Sequence, residues 1–337
     1  MTGSEDGKTA LPQDFSKNSQ SNALDLLLNY VATCGYCFVT PTPTTHETVL
    51  ENRRATTERT LRDIFGWNLP FDAPQITSEL LTLMRAADVI AASDTGLLKS
   101  TLRIATFDDL LFLHSMYPTV QEDAVFFGPD TYRFVRFIRQ SLEHNPLLAP
   151  VRRILDIGCG SGIGGIFSAR LLAARQQIEA EKLEVVLNDI NPKALSLATV
   201  NARFAQVSVN TVLGDAFEVV QGDFDLIVCN PPYLEDGQTR TYRHGGGDLG
   251  RALGLRMATQ ALSRLTPGGR LLLYTGVPII GGVDEFIAML EPLLKAAGCL
   301  WHYEEIDPDI FGEELTHPQY HLVERIAAVG LTAMRPS

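Results

Sequence analysis

Along the first 150 positions, apolar residues recur mainly at helical spacing, with two short β-like runs. Leu24, Leu26, Leu27, Leu28 and Val31 predict a helix over 22–34. Residues 46–65 are polar but helix-compatible, and Pro70 and Pro74 end that stretch. A third helix is predicted over 78–87 from a serine cap, with β-like runs at 98–104 and 110–114. Three helices followed by a two-stranded turn outline a winged helix. Residues 117–126 read as a hinge and 130–142 as a further helix. From residue 152 the pattern becomes strict β/α alternation. Strands are predicted over 153–157, 183–188, 207–213, 224–229, 270–274, 300–306 and 321–333. Helices are predicted over 162–175, 192–204, 249–265 and 283–297. The expected fold class is α/β: a mostly parallel, doubly wound sheet of seven strands behind an N-terminal, mainly helical, winged-helix-like domain.

Composition narrows the function. The chain has 337 residues, 45% hydrophobic and 20% charged, which suits a globular protein and excludes a disordered or collagen-like one. No run approaches the ~18 consecutive apolar residues of a membrane span, so no membrane partner is expected. The net charge is -12. Residues 1–150 hold 12 basic and 18 acidic side chains and the rest 16 and 22, so neither half is basic. That counts against a phosphate backbone as partner, because affinity there rests on clustered Lys and Arg. For the same reason the winged-helix outline is read as a cover over a substrate pocket. The polar N-terminus lacks the apolar core of a signal peptide and reads as a flexible tail over 1–20. Five scattered cysteines fit a reducing compartment, and a cytoplasmic location is expected.

The first predicted strand runs into Asp156-Ile157-Gly158-Cys159-Gly160-Ser161-Gly162, which opens a helix. Glycines are needed where the backbone turns tightly beside a ligand. Asp189 ends the second strand, where a carboxylate can accept both ribose hydroxyls, and Asp215 follows the third. A nicotinamide oxidoreductase is the competitor, but Asp156 suits an ammonium group better than a pyrophosphate. Asn230-Pro231-Pro232-Tyr233 follows the fourth strand, at the sheet end where open α/β folds bind ligands. The prolines fix φ and hold the Pro231 carbonyl in place. That carbonyl and the Asn230 side-chain oxygen form two acceptors that can grip the N–H groups of a planar nitrogen. Tyr233 can stack on the flat group. An amide, guanidine or aromatic amine nitrogen attacks poorly, so the gain comes from alignment and electrostatics.

The glycine segment resembles the first motif of class I S-adenosylmethionine-dependent methyltransferases, which have a Rossmann-like sheet. The Asn-Pro-Pro-Tyr motif resembles the branch that includes release-factor glutamine, adenine-amine and ribosomal-RNA guanine enzymes, with a "small" methyltransferase domain. The likeness covers about 120–335 and implies S-adenosyl-L-methionine as cofactor and a methyltransferase domain over 121–337. By the resemblance, Asp156, Gly158, Gly160 and Gly162 line the methionine end of the cofactor. Asp189 with Ile190 would hold the ribose, and Asp215 with Ala216 the adenine. The segment from Val125 to Tyr132, with Phe127, Gly128, Pro129, Thr131 and Tyr132 singled out, matches a Pro-containing loop that closes over the cofactor. Tyr242, Arg243 and His244 fall at a substrate-side loop of this branch. The segment over 21–120 matches the helical domain of the glutamine enzymes poorly, and is expected to be a cover domain.

Other signals are weaker. Cys34 and Cys37 have redox or zinc-knuckle spacing but no second pair, and read as small buried residues. His317 and His321 lack a third ligand, so no metal is expected. Glu304 and Glu305 begin the densest acidic run, a solvated loop or an element that recognises a cationic substrate. The resulting expectation is an N-methyltransferase with catalytic Asn230, Pro231, Pro232 and Tyr233. A small metabolite such as an amino acid or guanidino compound ranks first as acceptor, a protein glutamine second and a nucleic-acid base third. A non-catalytic cofactor-binding regulator is the alternative class.

Overall fold

A computed structural model of the chain describes residues 14–53, 59–144, 150–235, 245–247 and 249–337. The N-terminal region holds α1 (Asp14–Thr33), α2 (Pro43–Asn52) and α3 (Ser78–Ala86). It also holds β1 (Ile90–Ala92), β2 (Leu98–Ser100), β3 (Leu102–Phe107) and β4 (Leu110–Ser115). Helix α1 starts inside the segment expected to be a tail, because its first turns are largely polar and carry no apolar periodicity. Residues 1–13 lie outside the described residues. The cap of α3 is Thr77, whose hydroxyl accepts from Leu80 N, rather than the serine after it. Two antiparallel hairpins, β1–β2 and β3–β4, replace the single expected turn. The long helix read into 46–65 is α2 followed by a separate π-helical turn at Arg62–Gly66.

The remaining elements are α4 (Pro129–His144), β5 (Arg153–Ile157), α5 (Ile163–Gln176), β6 (Glu184–Asp189), α6 (Pro192–Phe204), β7 (Val209–Leu213) and α7 (Ala216–Val219). They continue through β8 (Phe224–Cys229), α8 (Arg251–Leu262), β9 (Leu265–Ile280), β10 (Val283–Asp284), α9 (Glu285–Ala296), β11 (Leu300–Asp307) and β12 (Arg325–Met334). The sheet runs β11-β12-β9-β8-β5-β6-β7, with the two-residue β10 pairing beside β9. Strands β7, β6, β5, β8 and β9 are parallel, while β12 runs antiparallel between β9 and β11. Covering helices explain why β5 and β8 read as continuous apolar runs.

The chain enters the sheet at β5, adds β6 and β7 on one side, then crosses to β8 on the other. That reversal between β5 and β8 opens a crevice at the carboxyl ends of the strands. The N-terminal region packs on α6, where Ala194, Leu197 and Val200 share a core with Leu27, Phe38, Ile104 and Leu113. Asn201 fixes this docking. Fully buried, it accepts from Leu113 N (2.8 Å) and donates to the carbonyls of Leu113 (3.2 Å) and Ser161 (2.9 Å). One side chain therefore ties β4 to the glycine loop.

Candidate active site

The loop between β5 and α5 is held by its glycines and by β6. Gly158 and Gly160 have φ of 62° and 52°, and a Cβ on either would meet no atom within 4 Å. They need glycine for conformation and leave open space above the backbone. Gly162 differs: a Cβ there would lie 2.9 Å from that of Ala198, so it packs α5 against its neighbours and does not line the cavity. The Asp189 carboxylate accepts from Gly160 N (2.9 Å) and Asn191 N (2.9 Å), and Cys159 N donates to Asn188 O (3.0 Å). Each Asp189 oxygen keeps further acceptor capacity toward the cavity.

This loop lines a cavity of about 420 Å³, within the size range of small-molecule sites. Asp156 is 1% exposed and accepts from Gly165 N (2.7 Å). Burial pushes its carboxyl up to about 7, with Asp189 adding to the rise. Gly164 and Gly165 make room for it, since a Cβ on Gly164 would stand 2.9 Å from its Oδ2. Asp130 also lines the cavity and receives the Tyr274 hydroxyl (2.8 Å), with burial raising it to about 6. Burial raises Asp189 as well. Asp130 has Arg133 beside it (3.3 Å), so Asp156 and Asp189 are the buried acids that a cationic ligand would relieve.

Asp215 and Ala216 line the same cavity, and Asp215 is paired through both oxygens with Arg256 (2.9 and 3.0 Å). Ile190 borders it, more than half exposed. Asn230, Pro231, Pro232 and Tyr233 form the opposite wall. The Asn230 Oδ1 and the Tyr233 hydroxyl are buried and have no hydrogen-bond partner among the described residues. Each such orphan costs roughly 1–3 kcal/mol unless a ligand or water satisfies it. Phe311, at φ 53°, meets the Tyr233 ring edge-on at 5.9 Å.

Glycines from distant elements brace this turn. A Cβ on Gly250 would fall 2.0 Å from Tyr233 O, and one on Gly276 2.4 Å from the Tyr233 ring. Gly276→Ala is therefore expected to displace Tyr233 at a stability cost of ~1–3 kcal/mol. Methyl transfer should fall at least ~10-fold through misalignment, while cofactor affinity, measured by calorimetry, stays unchanged. An unaltered rate would show that Tyr233 placement does not matter.

Several expected site residues lie elsewhere. Phe126 lines the cavity, whereas the adjacent Phe127 is fully buried on the opposite side, against Phe112 and His114. Gly128 precedes α4, which Pro129 begins, and Gly128 N donates to Thr131 Oγ1 (3.2 Å). Thr131 lines the cavity, but the Tyr132 hydroxyl turns away to accept from Thr40 N (3.1 Å). Glu304 and Glu305 sit on the edge strand β11, where Glu305 pairs with Arg325 (2.9 Å). Neither reaches the cavity. Tyr242, Arg243 and His244 lie outside the described residues. Cys34 and Cys37 are exposed and free rather than buried. His317 stands near Glu314 (3.8 Å), and His321 bonds to Pro318 O (3.0 Å). Sequence reasoning missed Asp130, Phe126, Phe134, Arg256, Met257 and Phe311 as cavity residues. Of these, Asp130 and Phe126 lay inside the recognised 125–132 segment without being singled out.

The family model described as the methyltransferase small domain matches residues 135–276. A candidate protein N5-glutamine methyltransferase of Methanocaldococcus jannaschii is 34% identical over 146 residues, covering 42% of this chain and 68% of that protein. The chain belongs to the class I S-adenosylmethionine-dependent methyltransferases, in the branch with the small methyltransferase domain. This methyltransferase is also similar to the release factor glutamine methyltransferase of Deinococcus radiodurans. The identity is 32% over 172 residues, or 48% of this chain and 55% of that one. The ribosomal RNA small subunit methyltransferase C of Pasteurella multocida is 32% identical over 123 residues, 36% of this chain and 32% of that one. The chain spans about half the length of the first release-factor enzymes it matches. These relatives overturn the expectation of a small-metabolite acceptor, since they are named for glutamine methylation of a release factor. The acidic net charge restricted partners without selecting one. Among the described residues, no helix of the methyltransferase is long and apolar enough to cross a membrane.

Proposed function

We propose that the protein transfers a methyl group to the side-chain amide nitrogen of a glutamine in an acceptor protein. The observation that carries this reading is the pair of unpartnered buried atoms, Asn230 Oδ1 and the Tyr233 hydroxyl, on two residues that line the cavity shared with the glycine loop. The relatives named for protein glutamine support it. The site suits S-adenosylmethionine: open backbone at Gly158 and Gly160, an unsaturated carboxylate at Asp189, and buried acids that favour a cation. When bound, that cofactor supplies a methyl group on a positively charged sulfur.

The chain's own residues do the rest. Asn230 Oδ1 and the Pro231 carbonyl accept the two amide N–H groups, which fixes the plane of the amide and aims the nitrogen lone pair. Tyr233 stacks on that plane, and its orphaned hydroxyl takes a polar partner from the acceptor. Forming the N–CH3 bond leaves the amide nitrogen positively charged with both of its protons, a strongly acidic state, so one proton passes to water and no side-chain base is needed. The segment over 21–120, docked on α6, is the region we assign to acceptor binding.

The test combines methyl-labelled cofactor with a cell extract separated into protein, nucleic acid and small molecules. Label is expected on protein, as a one-methyl mass increase on a glutamine. Label on ribosomal RNA would replace this reading with the one that the Pasteurella multocida relative favours.

A further inference from the structure

We propose that the N-terminal region contains a second binding site, for a carboxylate group, centred on the buried guanidinium of Arg103. Arg103 lies on β3, is 3% exposed, and donates from Nε to Ser115 O (3.1 Å). No carboxylate pairs with it among the described residues. Its guanidinium carbon stands 5.7 Å from the centre of the Tyr117 ring.

Around it, unsatisfied polar atoms collect. His114 is the cross-strand partner of Arg103 on β4 and is fully buried; its nearest polar neighbour is the Ser115 backbone, and neither ring nitrogen makes a well-aligned hydrogen bond. His46 on α2, also fully buried, stacks on Tyr117 at 4.0 Å. It donates from Nε2 to Trp67 O (3.0 Å), which leaves Nδ1 unpartnered. Thr40 Oγ1, on a residue 2% exposed, is unpartnered as well. A native interior holds few such atoms, and each calls for an occupant. Water could satisfy the histidines and the threonine, but water does not neutralise a guanidinium. A buried charge without a counter-charge is costly to the fold.

The charge of the cluster selects the ligand. Burial drives His46 down to about 4 and His114 well below its ordinary range, so both stay neutral. Burial also lowers Arg103 to about 10. Tyr36 and Tyr132 face it as neutral phenols, and Tyr117 gives its hydroxyl to Glu47 at the exposed rim (2.7 Å). Lys99 lies farther out, with Nζ donating to Tyr117 O (2.7 Å). One fully buried positive charge matches one carboxylate; Lys99, close enough to feel Arg103, is the second charge that a phosphate dianion would need, and the phosphate arm of the test below separates the two. The chain segment that lines the main cavity with Phe126 and Thr131 faces this cluster with Phe127 and leans on it through Tyr132. An occupant would thus brace one wall of the cavity, and its binding does not depend on the reaction proposed above.

The full-length protein is tested by thermal unfolding in sodium acetate against sodium chloride at equal ionic strength. Acetate is expected to raise the unfolding temperature saturably. Arg103→Met should remove that response while being at least as stable as the wild type in chloride, because it deletes an uncompensated cation. His114→Leu, which deletes two poorly satisfied nitrogens, should remove the response too and decides the matter if Arg103→Met does not fold. A short glutamate-containing peptide that displaces acetate more tightly than free glutamate would identify a polypeptide as the source of the carboxylate, and the reverse order a free acid. The proposal is overturned by equal unfolding temperatures in acetate and chloride, by an acetate response that survives both substitutions, or by saturation with inorganic phosphate alone.

Discussion

Asn230→Ala is expected to lower the methyl-transfer rate constant by ~10²–10³-fold, the usual loss when one preorganised polar contact to a reacting group is removed. The cofactor dissociation constant should change by less than ~3-fold, because the loss falls on alignment rather than ground-state binding. The protein should not become less stable. Oδ1 of Asn230 is buried and unpartnered in the folded chain, so its removal discards an unsatisfied acceptor rather than a hydrogen bond. This combination separates an aligning residue from a structural one, which would lose stability and activity together. Single-turnover transfer of labelled methyl to the protein fraction, read beside calorimetric cofactor binding, measures both. Full activity in the variant would remove the proposed mechanism.

The parts of this site that were legible share a physical origin. The glycine loop could be read because Gly158, Gly160 and Gly162 all have positive φ, so backbone strain is recorded as residue type. Strand β8 and helix α6 appear at their expected bounds, since a buried parallel strand and a helix with proline in its first turn both leave local patterns. Strand β9 was underestimated. Pro267, Gly268 and Gly269 near its start, and Gly276 and Pro278 near its end, read locally as turns. Pairing with β12 across Arg270–Ile279 holds the latter in the sheet. Phe127 and Tyr132 were placed on the wrong side because contiguous residues alternate direction, and only the docked N-terminal region decides which face is cavity. Arg256 and Phe311 reach the site from α8 and from the loop after β11, so no local spacing could announce them. The acidic run failed for a related reason: Glu305 is answered by Arg325 on the neighbouring strand rather than by a ligand.

Asp156→Asn is expected to stabilise the cofactor-free protein at pH 8 and to weaken cofactor binding severely. The native carboxyl titrates at about 7, against ~3.9 in an unfolded chain. Between those values the folded protein holds the extra proton, so this residue's favourable contribution, complete below about pH 4, is lost as pH rises through 7. At pH 8 the folded state carries a buried charge relieved, among the described residues, by the Gly165 N–H. An amide of the same shape can still accept that bond through its oxygen and carries no charge. The expected gain is ~2–4 kcal/mol at pH 8, or roughly 3–6 °C in a chain of this length, shrinking to nothing near pH 4. In the wild type, cofactor affinity should climb as pH rises through 7, because the carboxylate must be free of its proton to meet a positive charge. Asp130, raised to about 6, and Asp189 extend that dependence to lower pH. The variant should bind at least ~100-fold more weakly, because an amide offers no counter-charge in a buried site. Its residual binding should be flat across pH 7. Unfolding scans at pH 4 and 8, with calorimetry across pH 6–8, measure each part. A variant less stable at pH 8 that still binds the cofactor would mean that Asp156 holds the loop together instead of holding a charge for its ligand.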